Sequence, residues 1–88
     1  MAARVTARDG GRCVAPRLDP PFPGECSGPL ELDHVNTGGL GHRGPSLPGN
    51  LVVLCRGHHR WKTEHAKGAR VRLIHWIMAR VATSGATA

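Results

Sequence analysis

Residues 32–65, LDHVNTGGLGHRGPSLPGNLVVLCRGHHRWKTEH, leave this chain few ways to fold. The alternating run LELDHV at residues 30–35 has the period of a short strand. The apolar run at residues 51–54, entered through the turn Pro48-Gly49-Asn50, predicts a second. Between them, residues 36–49 hold five glycines and two prolines. A connection that long with no periodicity of its own is a mark of function. After Cys55 the composition turns helical as far as Ala66. Strand, loop, strand, helix is a ββα unit, and it places Asp33, His34 and His59 where they can converge on one ion.

The rest of the chain is arranged around this unit. Residues 1–12 carry Arg4 and Arg8 among small residues and form either a basic arm or a short helix, since propensity is too weak to decide. Asp9-Gly10-Gly11 is a turn that delivers the chain to Cys13. Pro16, Pro20, Pro21 and Pro23 exclude helix interior and central strand from the next stretch, which reads as an extended loop between Cys13 and Cys26. Gly68 breaks the helical pattern. Residues 69–82 then show Val71, Ile74, Ile77, Met78 and Val81 on one face of an amphipathic C-terminal helix, with His75 beside that face as a packing residue. Residues 83–88 are expected to be disordered.

With 88 residues and only Phe22, Trp61 and Trp76 as aromatics, the core must be thin and aliphatic. A chain of this size buries only ~60% of its unfolded surface and usually needs a metal, disulfides or a partner. Three cysteines cannot pair completely, and six histidines beside them point to metal chemistry. Cys55-x-x-His58 has the spacing of a zinc half-site at a helix start, and Cys13 and Cys26 are the remaining thiols. The predicted structural zinc set is therefore Cys13, Cys26, Cys55 and His58. Twelve residues separate the first two, a longer spacing than a zinc knuckle uses. By sequence alone either imidazole of His58-His59 can reach either metal. Helix geometry favours His58 for zinc, because it lies one turn from Cys55 while His59 is turned ~100° away.

Hydrolysis of a phosphodiester needs a water, a base for its proton, and positive charge for the leaving oxygen. His34 suits the base, because imidazole titrates near neutral pH. Asp33 and His59 suit a divalent cation. Adjacent strand residues point to opposite faces, so Asp33 and His34 can share a site only where the strand ends and the chain turns. An amide at Asn50 can donate and accept at once across the loop. The chain carries a net charge of +6, with ten Arg to two Lys. Such a balance suits a polyanion. Arg56, Arg60 and Lys62, near the expected ion, are the nucleic-acid-binding candidates. His42, in the loop, is a weaker candidate for touching substrate. His65 is read as a helix C-terminal residue that meets the dipole. Trp61 is read as core or a hinge between helices.

Asp33-His34, then Asn50-Leu51-Val52-Val53-Leu54-Cys55, then His58-His59-x-x-Lys62 resembles the HNH endonucleases, the ββα-metal or His-Me finger nucleases, over roughly residues 8–66. The resemblance implies a small zinc-stabilised α+β domain spanning residues 13–66, with an added C-terminal helix at 69–82. It implies that His34 activates water, that Asp33 and His59 bind a catalytic Mg2+, Mn2+ or Ni2+, and that Asn50 fixes the loop. The implied activity is hydrolysis of DNA, expected to be double-stranded, with low intrinsic sequence specificity. Small stand-alone proteins of this kind suggest a phage or prophage role with a packaging component as partner. The alternative is a zinc-stabilised nucleic-acid-binding module that cuts nothing. No apolar run reaches the ~20 residues that cross a bilayer, and the N-terminus lacks a signal peptide's apolar core. A cytoplasmic location is expected, in the host if the chain is phage-encoded.

Overall fold

The computed structural model describes residues 2–36 and 46–83, with side chains through residue 80. The order is α1 (Ala2–Arg8), β1 (Leu30–His34), β2 (Leu51–Cys55), α2 (Arg56–Glu64) and α3 (Ala66–Thr83), with short 3₁₀ turns at Ala15–Arg17 and Pro48–Asn50. The strands pair antiparallel from Leu30↔Cys55 to His34↔Leu51. All of β2 is buried, whereas β1 is buried only at Asp33. Alternation along β2 explains this: Val52 and Leu54 enter the main core with Leu73, Trp76 and Ile77 of α3. Leu51 and Val53 point the other way, onto Val5 of α1.

The N-terminal segment forms a helix, which its sequence left open, because tertiary contact decides the matter. Val5 is fully buried, worth about 1.5–3 kcal/mol relative to exposure. The same segment covers the free edge of β2. Val14 N donates to Val53 O at 2.9 Å, and Val53 N donates to the buried Asp9 Oδ2 at 2.9 Å. A carboxylate thus stands in for a missing strand. Arg8 holds it from Nε at 2.7 Å and reaches on to Pro48 O and Leu51 O.

Two expectations about the C-terminal half are corrected. The helical pattern breaks at His65, which closes α2 with its N–H on Lys62 O and Trp61 O. Gly68 instead lies inside α3, exposed and with open space around it. An exposed helical glycine costs only about 1 kcal/mol, too little to end a helix held by its packing. The buried stripe of α3 is Ala69, Leu73, Trp76 and Ile77. Val71 and Met78, placed on the inner face by sequence, are 52% and 62% exposed, and His75 faces solvent rather than packing. The i, i+4, i+7, i+8 spacing from Ala69 accounts for the rotation of the face. Of the tail expected to be disordered, residues 83–88, Thr83 instead ends α3, and residues 84–88 lie outside the described residues.

Candidate metal centre and the neighbouring acid–histidine cluster

Four ligand atoms converge from four separate segments. Cys13 follows α1, Cys26 ends the Pro-rich loop, Cys55 ends β2, and His58 lies in the first turn of α2. All four atoms lie within 4.8 Å of one another, the one such His/Cys/Asp/Glu group among the described residues. His58 Nδ1 is 3.6 Å from Cys13 Sγ, 3.7 Å from Cys26 Sγ and 3.2 Å from Cys55 Sγ. A tetrahedral zinc with its usual bond lengths requires S···N edges of roughly 3.5 Å, which the three nitrogen-to-sulfur distances match. His58 Nε2 lies 3.1 Å from Pro23 O and 3.0 Å from Gly24 O. Its proton is therefore on Nε2, and the Nδ1 lone pair is aimed at the three sulfurs. The Cys3His cluster can hold a metal such as zinc.

The local sequence makes this meeting possible. The loop between Cys13 and Cys26 is long, but Leu18 and Phe22 anchor it in the core and Phe22 N donates to Ala15 O. Residues 27–29 then lie against the start of α2, with Gly57 N on Ser27 O at 3.0 Å and Arg56 N on Pro29 O at 2.9 Å. A side chain at position 57 would collide with Ser27 Oγ. Burial pushes the Cys13 thiol up to about 12. Burial also opposes ionisation of Cys55, yet the backbone N–H groups of His58 and Ser27, each 3.4 Å from Sγ, bring it down to about 7.

One residue past His58 the helix has turned to a different environment. His59 Nε2 lies 2.8 Å from Asp33 Oδ1, and its Nδ1 lies 2.9 Å from Glu31 Oε1. Glu31 and Asp33 are two apart on β1, so their side chains share the face turned to α2. Lys62 Nζ donates to Asp33 Oδ1 at 3.3 Å and to the His34 carbonyl at 2.9 Å. It also lies 2.9 Å from Asp33 Oδ2, an ion-pair contact, since Oδ2 accepts no hydrogen bond. The hydrogen bonds from His59 and then Arg56 hold the Glu31 carboxyl below its ordinary range.

The structure thus brings Asp33 and His59 together, and it places His58 with the thiols and His59 with the carboxylates. Asn50 is buried and clamps the neck of the loop: its Oδ1 accepts from Asn36 N at 2.8 Å and its Nδ2 donates to Asn36 O at 2.9 Å. His34 is not beside Asp33. Regular pairing runs through His34↔Leu51, so the strand does not turn between them, and the His34 imidazole meets Ser46 Oγ at 2.9 Å. The link between the two is Lys62, through the Asp33 carboxylate and the His34 carbonyl.

Lys62 itself is a correction. Expected on the nucleic-acid-binding surface, it is 4% exposed and bonded to Asp33, which is 3% exposed. Its i+3 position from His59 turns it under β1 instead of outward. Arg56 and Arg60 are exposed. They flank His59 in a shallow groove of about 280 Å³ that Glu31, Thr63 and Glu64 complete. Glu31 was missed from sequence, although its place two residues before Asp33 was the available signal. His65 closes α2 as expected, with its Nδ1 on Trp61 O at 2.9 Å and its ring stacked on Trp61. Trp61 packs on Phe22 at the edge of the core. His42 lies outside the described residues. Among the described residues no helix is long and apolar enough to cross a membrane.

No family model, curated protein or solved structure matches this chain.

Proposed function

We propose that the chain is an HNH-type endonuclease that hydrolyses DNA phosphodiester bonds with a divalent cation, on a domain held together by structural zinc. The observation that carries the reading is the 2.8 Å approach of Asp33 Oδ1 and His59 Nε2 across β1 and α2. A hard carboxylate oxygen and an imidazole nitrogen suit Mg2+ or Mn2+, with open positions left for water and phosphate. Bound there, the cation supplies Lewis-acid charge to the phosphate. His34 accepts the proton of the attacking water, and Ser46 Oγ fixes the direction of its ring. Lys62, by holding the His34 carbonyl and the Asp33 carboxylate together, keeps base and ion site in register. Asn50 fixes both ends of the loop beyond His34. Arg56 and Arg60 meet the DNA backbone beside His59, a sequence-tolerant contact that accords with low specificity. A phage or prophage setting with a packaging partner is part of this proposal.

Zinc-loaded protein is expected to nick or cut supercoiled plasmid in Mg2+ or Mn2+ and to stop when those ions are withheld. His34→Ala is expected to lose roughly 10²–10⁴-fold in cleavage while binding DNA as before, the usual range for a general base. A second reading, a nucleic-acid-binding module that cuts nothing, is favoured by one observation. Glu31, His59, Asp33 and Lys62 already occupy one another's polar atoms without an ion. Plasmid that is retarded in a gel but left intact with every cation tried would establish that reading in place of the first.

A further inference from the structure

Charge is shared out unevenly over this molecule, and the larger positive surplus lies away from α2. The groove beside His59 sets Arg56 and Arg60 against Glu31 and Glu64. On α3, by contrast, three guanidiniums gather over one indole. Cζ of Arg80, Arg17 and Arg8 lies 4.3, 5.4 and 5.7 Å from the centre of the Trp76 ring. Arg17 also donates to Asp9 O and, at 3.1 Å, to Arg12 O. Burial holds the Arg17 guanidinium below its ordinary value, and the charges of Arg12 and Arg80 lower it further, against the pull of Asp9. Arg72, one helical turn before Trp76, lies 5.9 Å over Phe22 and extends the row. Among the described residues these five arginines make one ion pair, Arg8 with Asp9. Asp9 is fully buried and turned inward to Val53 N, so it offsets charge from beneath and brings none of its own to the surface.

Like charges held this close repel one another, and a ring face that attracts each of them carries no net charge to cancel the surplus. Packing over Trp76 accounts for Arg8 and Arg17, whose stems lie partly out of water. It does not account for the exposed Arg12, which lies over no ring, or for an exposed Arg80 with no carboxylate beside it. We propose that the arginine cluster around Trp76 is a second binding surface for the phosphate backbone of nucleic acid, separate from the groove of α2. The inference rests on the nucleic-acid part of the reading above and adds a second place where the polyanion is held. Arginine suits that ligand, because its planar fork can donate two bonds to one phosphate. A protein partner is given little to hold. Trp76 is buried beneath the guanidiniums, and the exposed Val71 and Met78 are turned well away from it around the helix, so the cluster offers no apolar anchor. The cluster also adjoins the end of the sheet that bears the His34 base. Arg8 reaches Pro48 O at 2.7 Å and Leu51 O at 2.6 Å, and Leu51 pairs with His34.

The test follows binding of a labelled DNA duplex to zinc-loaded protein by fluorescence anisotropy across a salt series. Arg12→Ala and Arg80→Ala are each expected to flatten the log-log salt dependence by about 0.9, and the two together by about 1.8. Lysine at both positions keeps both charges and is expected to keep the wild-type slope. Arg12 is exposed and its side chain is bonded to nothing among the described residues, so Arg12→Ala should keep its zinc and its melt. That variant decides the matter alone if the loss of Arg80 from Trp76 disturbs the fold. A wild-type slope in Arg12→Ala would overturn the second surface and leave the duplex on α2. Equal flattening in the lysine variant would also overturn it, because the loss would then not be one of charge. Unchanged duplex slopes, with labelled polyglutamate held by wild type and released by the double alanine variant, would give the surface to an acidic protein instead. If wild type binds no duplex at any salt, the nucleic-acid reading falls and this surface with it.

Discussion

The two histidine sites of α2 are neighbours in sequence and opposites in chemistry. Around His58 three sulfurs lie 3.2 to 3.7 Å from one ring nitrogen, and the imidazole is fixed from behind by two carbonyls. Around His59 there are carboxylates rather than thiols, a lysine in place of a fourth ligand, and a groove alongside. A closed set of soft ligands is what structural zinc uses, whereas a chemically working ion needs hard ligands and vacant positions. One residue of helical rotation, ~100°, separates a site suited to holding the fold from one suited to acting on a substrate. The thin core explains why so short a chain carries the first.

The sharpest way to break this comparison is to remove each imidazole in turn. His58→Ala and Cys55→Ser are expected to lose zinc and most of the cooperative melt, because structural zinc contributes roughly 10 kcal/mol or more to folds of this size. His59→Ala is expected to keep one zinc per chain and a melting temperature near that of wild type, with a weakened response to Mg2+ or Mn2+. Zinc content by mass spectrometry and thermal melts by circular dichroism check both. A His58→Ala protein that keeps its zinc, or a His59→Ala protein that loses it, would reverse the assignment.

Much of this arrangement was legible in the sequence, for physical reasons that can be named. The ββα order followed from hydrophobic period and turn chemistry. The Cys3His set followed from ligand count and from the Cys55-x-x-His58 spacing. Asn50 was pointed to by the resemblance, and an amide there can both donate and accept across the loop. What was not legible depends on what lies opposite a residue. Glu31 on an edge strand looks like a solvent-facing charge until His59 is placed across from it. Lys62 reads as surface cation until the turn of α2 carries it beneath Asp33. Asp9 reads as a turn residue, and nothing local says that its carboxylate will complete the edge of β2. The inner face of α3 was placed only in part, with Ile77 on it as expected but Val71 and Met78 off it, because Val71 and Met78 are as apolar as the buried Leu73. Only the position of β2 chooses between the two stripes.

Lys62 offers a smaller and more specific test of the acid–histidine side. It and Asp33 are both nearly excluded from water, so removing one charge leaves the other uncompensated, at a cost of about 3–5 kcal/mol. Lys62→Met is therefore expected to lower stability in urea melts by an amount of that order while zinc remains bound. If Asp33 is an ion ligand, Mg2+ or Mn2+ should restore part of the loss, and it should raise the melting temperature of Lys62→Met more than that of wild type. Destabilisation with no rescue by either cation would mean that Asp33 is a structural partner of Lys62, and the contrast between the two sites would reduce to one metal centre and one ion-pair network.

The smallest expected effect concerns the groove beside His59, where Arg56 and Arg60 differ in a way that sequence does not show. Arg56 is bonded to Glu31, which already offsets its charge, whereas Arg60 is exposed with no side-chain partner among the described residues. A cation that neutralises a DNA phosphate releases about 0.9 counterion, so losing it flattens the log-log salt dependence of binding by about that amount. Arg60→Ala should therefore lower the slope by about 0.9, and Arg56→Ala by less, because Arg56 reaches phosphate only by loosening its hold on Glu31. Fluorescence anisotropy with a labelled duplex across a salt series measures both, and neither substitution should move the zinc content or the melt. Equal slopes for the two variants would mean that Arg56 leaves Glu31 on binding DNA. An unchanged slope in both would move the DNA face off α2, with the Arg70 and Arg72 side of α3 the next surface to test.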